Sequence, residues 1–106
     1  MKLVYAALQD LFFSAKIKGT ADKTGAHVIF VTSYIELMEK IRENKPDLVI
    51  ADLNGFLTPA HLSAIKGVEV IGYLSHVQTD LRKRFENTCR IMTQSQFSEK
   101  LPQLLS

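Results

Sequence analysis

The sequence predicts an α/β domain: a five-stranded parallel sheet with helices on both faces. Three observations predict it. Five short apolar runs alternate strictly with five stretches of helical periodicity, joined by short connections. One run, Pro46-Asp47-Leu48-Val49-Ile50-Ala51-Asp52-Leu53, is apolar on both faces and gives way abruptly to Asn54-Gly55. A strand apolar on both faces belongs in the middle of a parallel sheet, where helices cover it above and below. Finally, 106 residues with 46% hydrophobic and 23% charged side chains make one globular domain, residues 1–106, with room for one core and not two.

Lys2 to Leu8 is the first strand. A helix follows from Asp10, with Leu11, Phe13, Ile17 and Ala21 recurring at helical spacing until Thr24-Gly25 breaks it. His27 to Thr32 is the second strand. Ser33-Tyr34-Ile35-Glu36 reads as a capping box, serine serving the early N–H groups and glutamate reaching back. Leu37, Met38 and Ile41 give that helix its apolar stripe, and Asn44 with Pro46 ends it. Asp47 to Asp52 is the third strand. Thr58 caps a short helix with Pro59 at its first position, where the missing N–H loses no hydrogen bond, and Lys66-Gly67 closes it. Val68 to Leu74 is the fourth strand. Thr79 to Asn87 is a helix that places Leu81 and Phe85 inward and Arg82, Lys83 and Arg84 mostly outward. Arg90 to Thr93 is the fifth strand. Phe97, Leu101, Leu104 and Leu105 form the inner face of the last helix. Pro102 interrupts it, so that helix either starts near Ser98 with the proline in its first turn or bends at the proline.

Several function classes are disfavoured by bulk properties. A net charge of +2 is too small to imply nucleic-acid binding. One cysteine, Cys89, forms no internal disulfide framework or CxxC metal site. No apolar run approaches the ~20 residues of a membrane span, and the N-terminal run is too short for a signal sequence. The expectation is a soluble cytoplasmic protein with no attached output domain and no membrane contact.

Strict strand–helix alternation predicts right-handed crossovers, and five strands suggest the flavodoxin-like order 2-1-3-4-5, a (βα)5 three-layer sandwich. Ligands in such sheets bind beyond the carboxyl ends of the strands. That order brings Asp10, after strand 1, close to Asp52, at the end of strand 3.

With this pattern, the chain resembles the receiver domain of two-component response regulators (the CheY-like fold) over essentially its whole length. The run from Pro46 to Leu53 resembles the receiver segment carrying the phospho-accepting aspartate, which maps onto Asp52. Gln9-Asp10 takes the place of the acidic pair after strand 1, with only the second acid kept. Ser75, ending Ile71-Gly72-Tyr73-Leu74-Ser75, matches the switch hydroxyl, and Phe97 matches the phenylalanine of a Lys-Pro-Phe signature. The signature's lysine is absent: Ser95 stands at the aligned position, or Gln94 if the register is one off, and Gln96 replaces the proline. No aromatic stands at the strand-5 switch position, where Ile91 or Met92 falls. The chain is also similar to a group of small stand-alone, degenerate receiver-like bacterial proteins (pseudo-receivers). It shares their Asp10-Leu11-Phe12-Phe13-Ser14-Ala15-Lys16-Ile17 opening, Asp52-Leu53-Asn54, Gly72-Tyr73-Leu74-Ser75-His76-Val77-Gln78, and the Ser95-Gln96-Phe97-Ser98 to Leu101-Pro102 ending.

The resemblance implies phosphoryl transfer from a phosphohistidine donor to aspartate, assisted by Mg²⁺ on hard oxygen ligands. Asp10, Asp52 and the backbone carbonyl of Asn54 could supply three of these. Two readings stay open. One is an atypical signalling module working mainly by protein–protein contact, with Asp10 and Asp52 as a residual acidic pocket lined by Asn54, Ser75 and Ser95. The other is a genuine phospho-acceptor in a phosphorelay, with Asp52 as acceptor. The implied partner is a histidine kinase or an output protein. A flavodoxin-like enzyme is disfavoured by the lack of any cofactor fingerprint.

Each candidate has a plainer alternative. Asp52 could simply cap its loop, Asp10 could be only the N-cap of the first helix, and Ser75 could merely end a strand. Lys16 could reach toward the acids, but its spacing points outward. Ser75-His76 lacks the G-x-S-x-G elbow of a hydrolase. His27, His61 and His76 lack metal-ligand spacing. Thr20-Ala21-Asp22-Lys23-Thr24-Gly25 precedes strand 2, where no phosphate cradle can form. Arg82-Lys83-Arg84 reads as a solvated face, and Cys89 as an inert small hydrophobe. Phe12 and Phe13 cannot share one core; the outward one would be an aromatic anchor for a partner or a homodimer seam, or would pack under the flanking loop.

Overall fold

The computed structural model describes residues 2–75 and 79–106. His76, Val77 and Gln78, part of one resemblance motif, lie outside the described residues, and so does any reading of His76. The elements run β1 (Leu3–Ala7), α1 (Leu11–Thr24), β2 (His27–Val31), α2 (Tyr34–Glu43), β3 (Leu48–Asp52), α3 (Pro59–Ser63), β4 (Glu69–Leu74), α4 (Thr79–Phe85), β5 (Arg90–Thr93) and α5 (Gln94–Leu104). The five strands form one parallel sheet in the order β2-β1-β3-β4-β5, as the sequence predicts.

Alternation along the strands divides the core into two layers. Val4, Ala6, Leu48, Ile50, Ile71 and Tyr73 face α1 and α5, which contribute Phe13, Ile17, Phe97 and Leu101. Tyr5, Ala7, Val49, Ala51, Val70 and Leu74 face α2, α3 and α4, which contribute Leu37, Leu62 and Phe85. The central strand β3 is buried at Leu48, Val49, Ile50 and Ala51, as its two-sided apolar run requires. Gly72 in β4 lies where a Cβ would come within 2.6 Å of Leu53 Cδ2 and 3.0 Å of Cys89 Sγ, so the close packing there needs a glycine.

Three local expectations are corrected. Leu11 is 86% exposed: Phe13, Ile17 and Ala21, spaced by four, form the buried stripe, and Leu11 overhangs the rim at the first helical position. Glu36 reaches back past Ser33 to the Thr32 N–H at 2.8 Å, while Ser33 Oγ accepts from the Glu36 N–H as expected. The last helix begins at Gln94, earlier than a start near Ser98, so Pro102 lies inside the helix and not in its first turn. Thr93 Oγ1 accepts from the Gln96 N–H, and Gln96 Oε1 accepts from the Thr93 N–H, a complete capping box. Pro102 falls in the final turns, where α5 ends at Leu104 in any case.

Among the described residues no helix is long and apolar enough to cross a membrane. Arg82, Lys83 and Arg84 are exposed on α4, and Cys89 is half-buried with its thiol pKa pushed up by burial. Of the two phenylalanines, Phe13 is buried and Phe12 is 82% exposed.

Candidate functional site

The carboxyl ends of β1, β3 and β4 and the start of α5 converge on one cavity of about 200 Å³. Among the described residues, Asp10, Asp52, Asn54, Tyr73, Ser75 and Gln94 line it. Chain order explains the convergence, because β1 and β3 are neighbours in the sheet and their loops leave the same rim.

Each carboxylate is held by a local cap. Asp10 is the N-cap of α1: its Oδ1 accepts from the Phe12 N–H at 3.0 Å and the Phe13 N–H at 3.2 Å. Asp52 Oδ1 accepts from the Asn54 N–H at 2.9 Å, and the Gly55 N–H donates to the Asp52 carbonyl at 2.9 Å. A side chain at position 55 would meet that carbonyl at 3.1 Å, so the glycine lets the loop fold tightly over Asp52. The capping and pocket readings therefore coexist: Oδ1 of each acid fixes the backbone. Among the described residues no hydrogen bond engages the second oxygen of either. Asn54 Oδ1 reaches across to Ser75, with long contacts of 3.4 Å to its N–H and 3.5 Å to its Oγ.

Half-burial raises the pKa of the Asp52 carboxyl above the ordinary range, and the nearby Asp10 adds to this, while the Asn54 N–H works against it. Beneath the two acids lies Tyr73. It is only 2% exposed and packs in a cluster of three rings with Phe13 (ring centroids 4.8 Å apart) and Phe97 (5.0 Å), which also stack on each other at 5.7 Å. Its hydroxyl is buried and has no hydrogen-bond partner among the described residues. Burial, Asp52 and Asp10 all push its pKa upward, so the phenol stays protonated.

Of the residues singled out from sequence, Asp10, Asp52, Asn54 and Ser75 share the cavity, and Ser95 does not. Ser95 is exposed on the first turn of α5, and Gln94 takes the lining position. One residue of helix is 100° of rotation, which is the difference between facing the cavity and facing solvent. Lys16 is exposed on α1 and does not line the cavity. His27 is exposed, and His61 stacks on Tyr34 with ring centroids 3.9 Å apart while its Nδ1 accepts from the Thr58 N–H. Among the described residues no three His, Cys, Asp or Glu side chains gather into a metal-binding group. Tyr73 was not singled out by sequence reasoning. The signal that would have found it is the period of two, since Ile71, Tyr73 and Ser75 share one face of β4.

Neither a family model nor a curated relative matches the chain. Solved structures do. A response regulator from Thermotoga maritima superposes with a TM-score of 0.80 at 18% identity, covering 99% of this chain and 94% of that one. The phosphorylated cyanobacterial phytochrome response regulator RcpA gives 0.76 at 20% identity, covering 98% and 88%. The Mn²⁺-bound form of another response regulator gives 0.72 at 14% identity, covering 98% and 91%. At these identities the likeness is one of fold, and the fold is that of response-regulator receiver domains.

Proposed function

We propose that this receiver-fold chain is an atypical receiver-like signalling module that works mainly through protein–protein contact, with a pocket ill-suited to holding a phosphoryl group. The observation that carries this reading is the charge of the cavity. Two carboxylates line it, and among its described lining residues none is cationic; Gln94 stands at the start of α5. A phosphoryl group on Asp52 would add negative charge beside Asp10. An ammonium at ~4 Å, with an effective dielectric of ~20, would return roughly 4 kcal/mol before desolvation. Gln94 and Ser95 can donate hydrogen bonds but bring no charge.

The donor set suits a hard divalent cation such as Mg²⁺: both carboxylates are oxygen ligands open to water in a small acidic cavity. Asp10 and Asp52 would hold it, with water completing the shell, and its charge would offset the burial and the Asp10 repulsion that raise the Asp52 pKa. Asn54 and Ser75 would then link the pocket to the ends of β3 and β4, through the contact their side chains make. The exposed pair Leu11 and Phe12, flanking Asp10 at the start of α1, offers an apolar contact for a protein partner, whether a kinase, an output protein or a second copy.

The competing reading is efficient phospho-acceptance at Asp52. Incubation with a small acyl phosphate and Mg²⁺, followed by intact-mass spectrometry, separates the two. The expected outcome is little or no adduct on the natural chain and a gain in Gln94→Lys, which puts an ammonium into the cavity. Rapid, stoichiometric modification of the natural chain, lost in Asp52→Asn, would establish the phospho-acceptor instead.

A further inference from the structure

Tyr73 gives the acidic pocket a third group that the receiver resemblance does not assign. Asp52 and Tyr73 are register partners on β3 and β4, and both side chains rise on the α1/α5 face. The ring packs against both Phe13 and Phe97 in a three-ring cluster, which fixes where the hydroxyl sits. That hydroxyl is buried, has no hydrogen-bond partner among the described residues, and belongs to a side chain lining the cavity with Asp10 and Asp52. A phenylalanine would fill the same aromatic slot without the penalty of burying an unsatisfied polar group. An orphaned hydroxyl in such a place is explained if a bound species completes it.

The charge of the pocket narrows what that species is. A free anion would be repelled by two carboxylates. A hydrated divalent cation is attracted by them, and its waters are strong hydrogen-bond donors that need acceptors. We infer that the Tyr73 hydroxyl is an outer contact for a hydrated divalent cation at Asp10 and Asp52, its Oη accepting a hydrogen bond from a cation-bound water. Tyr73 is thus a positioning residue: it touches the shell of the ion and leaves direct ligation to the carboxylates. The inference rests on the cation-binding part of the pocket reading above.

The chain has no tryptophan and three tyrosines, so tyrosine absorption and emission report directly on the site. Mg²⁺ alone is titrated into the natural chain and into Tyr73→Phe, Tyr5→Phe, Tyr34→Phe and Asp52→Asn, with affinity read by calorimetry and the tyrosine signal read optically. Tyr73→Phe is expected to bind Mg²⁺ roughly three- to tenfold more weakly, the fold-change of one net hydrogen bond. It should lose the Mg²⁺-induced tyrosine signal, which Tyr34→Phe and Tyr5→Phe keep. Without Mg²⁺, Tyr73→Phe should melt at a higher temperature than the natural chain, and saturating Mg²⁺ should narrow that gap. Equal or tighter Mg²⁺ binding by Tyr73→Phe would overturn the role of Tyr73 while leaving the pocket intact. No Mg²⁺ response in the natural chain, or one that survives in Asp52→Asn, would overturn both the inference and the cation site beneath it.

Discussion

Two tyrosines, one on each face of the sheet, are almost equally buried and differently satisfied. Tyr5 is 1% exposed and Tyr73 is 2% exposed. Tyr5 sits in the layer shared with α2, α3 and α4, and its hydroxyl reaches the backbone carbonyls of Lys40 at 3.0 Å and Asn44 at 2.7 Å. Those carbonyls belong to the C-terminal turn and cap of α2, where helical partners run out: the Lys40 carbonyl also accepts from the Asn44 N–H at 2.9 Å, and the phenol supplies a donor to the carbonyl of the capping Asn44. Tyr73 sits in the opposite layer, at the carboxyl rim; its side chain lines the acidic cavity, and its buried hydroxyl has no hydrogen-bond partner among the described residues. One polar group fastens the fold, and the other is left unpaired where a ligand would bind. Unpaired buried polar groups are rare enough that their location is informative.

The largest effect should come from the support under Tyr73. Phe97 is fully buried against both Tyr73 and Phe13, with ring centroids at 5.0 and 5.7 Å. Phe97→Ala removes one wall of the stack and should destabilise the chain by about 3–5 kcal/mol in urea unfolding. It should also loosen Tyr73, seen as a change in tyrosine emission before unfolding begins. A cost near zero would mean that the stack does not hold Tyr73 in place. Gly72→Ala, beside Tyr73 in β4, should follow with about 1–3 kcal/mol, since the added methyl runs into Leu53 Cδ2. Leu53 directly follows Asp52 at the end of β3, so a shift there is expected to lower Mg²⁺ affinity along with stability. Unchanged affinity in a folded Gly72→Ala chain would uncouple the strand packing from the pocket.

The comparison itself is broken or confirmed by the smaller change, Tyr5→Phe. Loss of its hydrogen bonds should cost about 1 kcal/mol of stability, measured by the urea midpoint, with or without Mg²⁺. The same deletion at Tyr73 is expected to have the opposite sign in Mg²⁺-free buffer. If both variants lose stability alike, then the two hydroxyls are equivalent and Tyr73 has a partner in solution independent of any cation.

Local and long-range features of the chain are unequally legible in its sequence. Layers, strand order and helix boundaries rest on periodicity and caps, and these are local properties: β3 announces itself by apolar residues on both faces, α3 by Thr58-Pro59. The convergence of Asp10 and Asp52 follows from the strand order alone. What was not legible depended on helix phase or on a hydroxyl within an apolar run. The start of α5 was hidden because Thr93 ends a strand and caps a helix at once, and that single residue decides whether Gln94 or Ser95 enters the cavity. Tyr73 reads as one more core aromatic in the sequence, and only the fold leaves its hydroxyl without a partner among the described residues. Leu11 fits the apolar spacing yet is exposed, because an apolar residue in the first turn of a helix need not lie over the sheet at all.

The smallest effect tests the acids directly. Ionised Asp52 is disfavoured in the folded chain by half-burial and by Asp10, so its pKa lies above the ordinary 3.8. Below 3.8 the group is protonated in folded and unfolded chains alike and contributes no charge penalty. As pH rises from there through the raised folded value, the unfolded chain gives up its proton first and the natural chain loses stability; above that value the loss is constant. Asp52→Asn keeps an Oδ1 acceptor for the Asn54 N–H but carries no charge. It should therefore melt higher than the natural chain at about pH 7, by less than about 1 kcal/mol given solvent screening, and match it near pH 3. Saturating Mg²⁺ at neutral pH should reverse the order, because the cation stabilises only the chain that retains the carboxylate. A variant that is less stable at neutral pH without Mg²⁺ would show that the ionised carboxylate is chiefly a loop cap, and the two rims of the sheet would then differ less than their tyrosines suggest.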